Sequence, residues 1–263
     1  MFLLGFAKPH KMTGETKTLI SEKEVIRRKI WRTMEEAGVA RFPRPVYGRI
    51  PNFVGAEEAA RRLVQQVEFQ AAEAVKVNPD APQSSVRTEV LSAGKLLVMP
   101  TPRLRRGFII LDPKTVPERS YGVASSIKGS FRYGRFCSLT ELPKIDLIVA
   151  GSVAVSKDGV RIGKGGGYSE MEYGILRELR LAEENTPIFT TVHDSQIVDS
   201  APREPHDFKV DAIITPTREI RVERKDPQPK GIFWEKIGPN QLRDMPLLLE
   251  LKGILENEKK SHC

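Results

Sequence analysis

Residues 161–168 read Arg-Ile-Gly-Lys-Gly-Gly-Gly-Tyr, and the stretch after them has the look of a helix. Glycines lack a Cβ, so their backbone N–H groups can approach a ligand that side chains would exclude. A helix start adds unpaired N–H groups and the positive end of its dipole. Together they suit a phosphate. Arg161 and Lys164 supply compensating positive charge around Gly163, Gly165, Gly166 and Gly167. Two common phosphate loops are excluded: no Gly-Lys-Ser/Thr ending is present, and Tyr168 breaks Gly-x-Gly-x-x-Gly. A Gly-rich surface turn would read the same way.

Other residues invite chemistry less sharply. Lys23 and Arg27 stand at i, i+4 on one helix face, which by itself is an ordinary solvated face. Asp211, between Val210 and Ala212, could be a ligand or a turn residue at a strand entrance. His193-Asp194 and His206-Asp207 are neighbours in sequence, and neighbours in a strand point to opposite faces, so both histidines read as structural or as supports behind the reacting groups. No Gly-x-Ser-x-Gly element supports acyl transfer. Cys137 and Cys263 offer no zinc spacing or disulfide framework, which fits a reducing, cytoplasmic setting.

The elements that must position these groups follow from periodicity. Ser21 and Glu24 have capping-box spacing, and Ile26, Ile30, Met34 and Ala37 form one stripe, which predicts a helix over 21–37. A second helix is predicted over 56–74 and a short one over 86–93. Strands are predicted over 75–77, 95–99, 108–111, 146–150, 188–192 and 212–215, with a helix over 168–180. Residues 112–142 read as loop. Short apolar strands alternating with helices imply an α/β sheet covered on both faces, mostly parallel. A last helix is predicted around 245–256.

Composition narrows the classes. The net charge is +8, and residues 1–50 hold eleven Lys/Arg against five Asp/Glu. Such a region suits a polyphosphate, nucleic acid or an anionic surface, or simply solubility. No run approaches the ~18 apolar residues of a membrane span. Aromatic residues are 7% of the chain, with no interleaved aromatic-basic stripe, which weighs against single-strand binding.

Asp146-Leu147-Ile148, then Ser156-Lys157-Asp158-Gly159 and Arg161 to Glu170, resemble the strand, turn and glycine loop of the 5-formyltetrahydrofolate cyclo-ligase family. Gln196, Pro205-His206-Asp207, Val210-Asp211 and Ile214-Thr215 look like its second signature, and Lys23 to Arg27 its N-terminal Lys-x-x-Leu-Arg pattern. Arg49 to Phe53, Val77 to Gln83 and Pro100 to Arg105 are similar to the sub-family of methenyltetrahydrofolate synthetase domain-containing proteins. Gly151 to Ser156, Val192-His193-Asp194 and Thr215 to Arg218 share that likeness.

The resemblance implies a three-layer α/β sandwich with a mostly parallel sheet. It divides the chain into an N-terminal extension (1–19), a cyclo-ligase-like nucleotide-binding domain (20–237) and a C-terminal helical tail (238–263). It implies an ATP- and Mg²⁺-dependent ligase that closes 5-formyltetrahydrofolate to 5,10-methenyltetrahydrofolate. Lys23, Arg27, Arg161, Gly163, Lys164, Gly165, Gly166 and Gly167 would then hold ATP. Tyr168 and Ser169 would face the folate, and Glu170 with Asp211 would hold Mg²⁺, an ion that takes hard oxygen ligands. Gly166 stands where the resembled enzymes often carry Lys, and Ser169-Glu170 where they carry Tyr-Asp. A non-catalytic nucleotide- or RNA-binding homologue is the alternative. Animal members of the sub-family carry an RNA-recognition module after this domain, which 263 residues are not expected to hold.

Overall fold

The computed structural model describes residues 14–261. Residues 1–13 of the expected extension lie outside the described residues, and 14–19 belong to the first helix, α1, which begins at Gly14 and runs to Glu36. It passes through Ser21 instead of starting there. Its Ile30, Trp31 and Met34 face the core, and the Trp31 indole N–H donates to the Arg49 carbonyl at 2.9 Å.

The predicted helix over 56–74 is two helices, α2 (Ala56–Val64) and α3 (Val67–Ala71), with Gln66 extended between them. The break turns Phe69, fully buried, into the core and feeds the first strand. That strand, β1 (Ala74–Val77), leads through α4 (Ser84–Ser92) to β2 (Leu96–Pro100) and β3 (Phe108–Leu111). Residues 112–142 hold more structure than their composition suggests: α5 (Tyr121–Ala124), α6 (Ile127–Tyr133) and β4 (Arg135–Cys137). Then follow β5 (Leu147–Val149), β6 (Ala154–Ser156), β7 (Arg161–Ile162), α7 (Tyr168–Glu178) and β8 (Ile188–Thr191). The last elements are β9 (Ile197–Val198), β10 (Ala212–Ile214), β11 (Glu219–Arg221), α8 (Pro239–Asp244) and α9 (Pro246–Ser261).

Eight strands make one sheet in the order β11-β10-β8-β5-β1-β2-β3-β4. The run from β10 to β2 is parallel, and β11, β3 and β4 are antiparallel at the edges. Alternate residues of β5 enter opposite cores: Leu147 and Val149 pack with α1, α2 and α4, while Ile148 packs with α7 and α9. Helices on both faces of one sheet make a three-layer α/β sandwich. Residues 245–251 belong to its second core, where Leu248 and Leu251 are fully buried at about 1.5–3 kcal/mol each. No described helix is long and apolar enough to cross a membrane.

The topology also places a crevice. From β1 the chain moves outward to β2, whereas from β5 it moves the other way, through β8 to β10. Right-handed crossovers then put α4 on one face and α7 on the other. The connections diverge beyond the carboxyl ends of β1 and β5, where open α/β sheets bind ligands.

Candidate functional site

The crevice is built from the exits of β1 and β5. Asn78, 2% exposed, follows β1 and works as a staple. Its amide donates to Glu172 at 2.8 Å and to the Ser169 hydroxyl at 3.3 Å, and its carbonyl accepts the Gly151 N–H at 3.3 Å. Lys76 of β1, pointing to the α7 face, pairs with Glu172 in the interior. Burial pushes the Glu172 pKa above its ordinary value despite Lys76. These contacts fix α7, and with it the end of the glycine loop, over the sheet.

The loop leaves a three-stranded sheet of order β7-β6-β9 beside the main one. Gly165 (φ +98°) and Gly167 (φ +67°) occupy the left-handed region that other residues rarely adopt. Gly167 is the N-cap of α7. The N–H groups of Gly165, Gly166 and Gly167 meet no acceptor among the described residues, and all three glycines are exposed. Gly166 answers a different need: a Cβ there would stand 2.7 Å from the Tyr168 ring. Glycine at 166 therefore goes with a tyrosine folded over the loop, a relation invisible in the sequence.

Arg27 braces the loop from below. Its Nε donates to the Gly163 carbonyl at 2.7 Å, and a Cβ on Gly165 would lie 3.5 Å from its guanidinium carbon. Lys164 ties the loop to the β1 exit through Asp80 at 2.9 Å. Lys23, one turn before Arg27, lies between Glu204 at 3.1 Å and Asp207 at 2.5 Å. Burial disfavours the Glu204 carboxylate, yet Lys23, His206 and Lys236 outweigh it and hold its pKa below the ordinary value. Arg161 is 2% exposed and serves Glu170: one nitrogen donates to the Gly151 carbonyl at 2.7 Å and another pairs with the carboxylate. Its Nε is buried without a partner among the described residues. Glu170 is disfavoured by burial, but Arg161, a backbone N–H and His206 keep its pKa low.

Asp211 is elsewhere. It precedes β10 and accepts the N–H of Ile188, the first residue of β8, at 2.8 Å, so it stands at the amino ends of parallel strands. The loop and Glu170 lie at the carboxyl ends. Asp211 pairs with Arg224, and burial, opposed by Ile188 and Arg224, raises its pKa. The pair Glu170 and Asp211 therefore does not fit a shared Mg²⁺. Sequence reasoning also missed the acids that do come together: ligand atoms of Glu204, His206 and Asp207 lie within 4.8 Å of one another, though Lys23 occupies both carboxylates. The second signature around Pro205-His206-Asp207 was the available signal. His193, by contrast, is structural, accepting the Ser195 N–H at 3.1 Å and capping a 3-10 turn.

The sequence model of the 5-formyltetrahydrofolate cyclo-ligase family matches residues 19–216. The chain is 43% identical over 242 residues to the methenyltetrahydrofolate synthase domain-containing protein of Bos taurus, covering 90% of this chain and 64% of that one. It thus spans somewhat less than two thirds of that relative. To the 5-formyltetrahydrofolate cyclo-ligase of Mycolicibacterium smegmatis it is 32% identical over 75 residues, covering 28% of this chain and 36% of that one. The NMR structure of Aquifex aeolicus 5,10-methenyltetrahydrofolate synthetase superposes with a TM-score of 0.49 at 18% identity, covering 78% of this chain and 94% of that one.

Proposed function

The chain belongs to the 5-formyltetrahydrofolate cyclo-ligase family, and on that premise we propose that it binds ATP in the glycine loop and uses it to close 5-formyltetrahydrofolate to 5,10-methenyltetrahydrofolate. One observation carries the reading. The open N–H groups of Gly165 to Gly167 line a cradle, braced by Arg27, at the point where the strand connections diverge. A phosphate chain is the ligand such donors and cations suit.

Phosphoryl transfer asks for position and charge neutralisation more than for a covalent nucleophile. The formyl oxygen attacks the γ-phosphorus, the bond to the bridging oxygen breaks, and ADP leaves. N10 then attacks the activated formyl carbon and gives up its proton, the carbon–oxygen bond breaks, phosphate departs, and the methenyl bridge between N5 and N10 remains. In this scheme Gly163, Lys164, Gly165, Gly166, Gly167 and Arg27 hold the phosphates, with Lys23 beside them. Arg161 keeps Glu170 oriented, and Tyr168 and Ser169 face the pterin. Asp211 has no part in it. The test is direct: ATP, magnesium and 5-formyltetrahydrofolate with the protein should give methenyl absorbance in step with ADP. ADP without methenyl product would refute the folate assignment.

A second reading, RNA binding, is favoured by a groove of about 670 Å³ beside α1, where Arg28, Lys29, Arg32 and Tyr47 line it together with Glu24, Val25 and the edge of the buried Trp31. Binding through phosphates alone would weaken steeply with salt and show little sequence preference.

A further inference from the structure

Residues 217–237 lie beyond the part matched by the family model, yet part of them is built into the site. Gln228, 3% exposed, exchanges two bonds with the Lys209 backbone, at 3.0 and 2.8 Å. The chain then crosses α7 at close range. A Cβ on Gly174 would stand 2.7 Å from Ile232 Cδ1, and one on Gly231 would stand 2.5 Å from a Glu178 oxygen. That Glu178 oxygen accepts the Ile232 N–H at 3.1 Å. Phe233 meets the His206 ring edge-on at 6.0 Å. This strap ends in a 3-10 turn, Trp234–Lys236.

The strap delivers one cation. Lys236 Nζ lies 3.3 Å from Glu204 Oε1 and 3.1 Å from His206 Nδ1, and the other oxygen of Glu204 accepts Lys23 at 3.1 Å. One carboxylate is thus bracketed by two ammonium groups. Lys23 lies one helical turn from Arg27, which touches the loop at Gly163. Arg27, Lys23 and Lys236 form a row of cations leading away from the glycine cradle. Lys236 is at its far end, with its side chain 37% exposed where those of the other two are 8% and 9%. An ammonium has three N–H donors. Glu204 and His206 engage two, and the third has no acceptor among the described residues.

We propose that Lys236 is a nucleotide-binding residue that takes the terminal phosphate of ATP, a role resting on the ATP reading above. It would supply from the strap the cation that the all-glycine stretch 165–167 does not carry. Lysine suits this as a point charge on a flexible stem.

The test is calorimetry with ATP, ADP and AMP, each with magnesium, on the parent and on Lys236→Met, Lys236→Gln and Lys236→Arg, with thermal melts as a check on folding. Loss of one charge-assisted contact should weaken ATP binding by roughly 10–100-fold in Lys236→Met and leave AMP nearly unchanged. Lys236→Arg should retain most of the affinity. Lys236→Gln keeps a donor for Glu204 but not the charge, so it should follow Met and serve if Met does not fold. A parent that binds ATP beside variants that bind it equally well overturns the role of Lys236 alone. An equal loss for all three nucleotides also overturns it, since that marks a strap that only holds structure. A parent that binds no ATP overturns both readings.

Discussion

Arg27 Nε donates to the Gly163 carbonyl at 2.7 Å, joining residues 136 positions apart. The helix that opens the fold and the loop that follows β7 are therefore one unit. Arg27→Ala should weaken ATP binding by roughly 1.5–3 kcal/mol, the worth of a charge-assisted contact. Arg27→Lys should restore only part of it, because an ammonium cannot both brace Gly163 and reach a phosphate. Titration calorimetry on both variants checks this.

The position of Gly166 makes a second expectation. A Cβ there meets the Tyr168 ring at 2.7 Å, so Gly166→Ala must swing the ring aside. KM for the folate should rise while ATP affinity stays close to that of the parent. The backbone N–H of residue 166 survives the substitution, so equal changes in both would show that the added methyl disturbs the phosphate cradle as well as the Tyr168 ring.

The buried pair of Lys76 and Glu172 carries α7. Lys76→Met leaves a buried carboxylate with only the Asn78 amide and should cost roughly 3–5 kcal/mol in chemical denaturation. The double variant Lys76→Met with Glu172→Leu should recover much of that, because no uncompensated charge is left.

The contacts that hold the site together are legible in the sequence to different degrees. The Val75-Lys76-Val77 strand, the Asp146 to Ala150 strand and the glycine loop before α7 were legible, because apolar period and glycine spacing are local signals. Residues 112–142 were not. Their helices are seven residues or fewer, and α6 starts on a Ser126 side chain that accepts the Gly129 N–H at 2.9 Å. Such short elements exist through tertiary packing that no local period announces. The distance of Asp211 from the loop is hidden for a topological reason: a sequence shows that it borders a strand, but not that the glycine loop lies at the other end of the sheet. Glu204 and Lys236 escaped because one carboxylate joins Lys23, Lys236 and His206 across most of the chain.

Asp211 gives a fourth expectation. Its partners are Arg224 and the Ile188 N–H, so Asp211→Asn should lower stability by about 1–3 kcal/mol. Turnover and its magnesium dependence should be unchanged. A magnesium-dependent loss of turnover in a stable Asp211→Asn protein would return the residue to the site.

Acid should loosen the cluster at Lys23. The Glu204 carboxyl titrates below its ordinary 4.5 in the folded protein, so it binds its proton less tightly than in the unfolded chain. Its contribution is fully present above about pH 4.5 and is lost as pH falls through the lower folded value. In Glu204→Gln the melting temperature should start lower at neutral pH and fall less steeply on acidification. Parallel curves for parent and variant below pH 4.5 would contradict this.

The central claim is that Gly163 to Gly167 form a phosphate cradle, and the most direct measurement is an ATP titration of the parent against Gly165→Val. Position 165 is exposed with φ +98°, where a branched side chain is strained and, starting from a Cβ 3.5 Å from the Arg27 guanidinium carbon, would push against the cation that braces the loop. The expected result is ATP binding by the parent and none by a Gly165→Val protein that still melts cooperatively. Unchanged affinity in that folded variant would contradict the cradle, and with it the nucleotide-binding role of the loop.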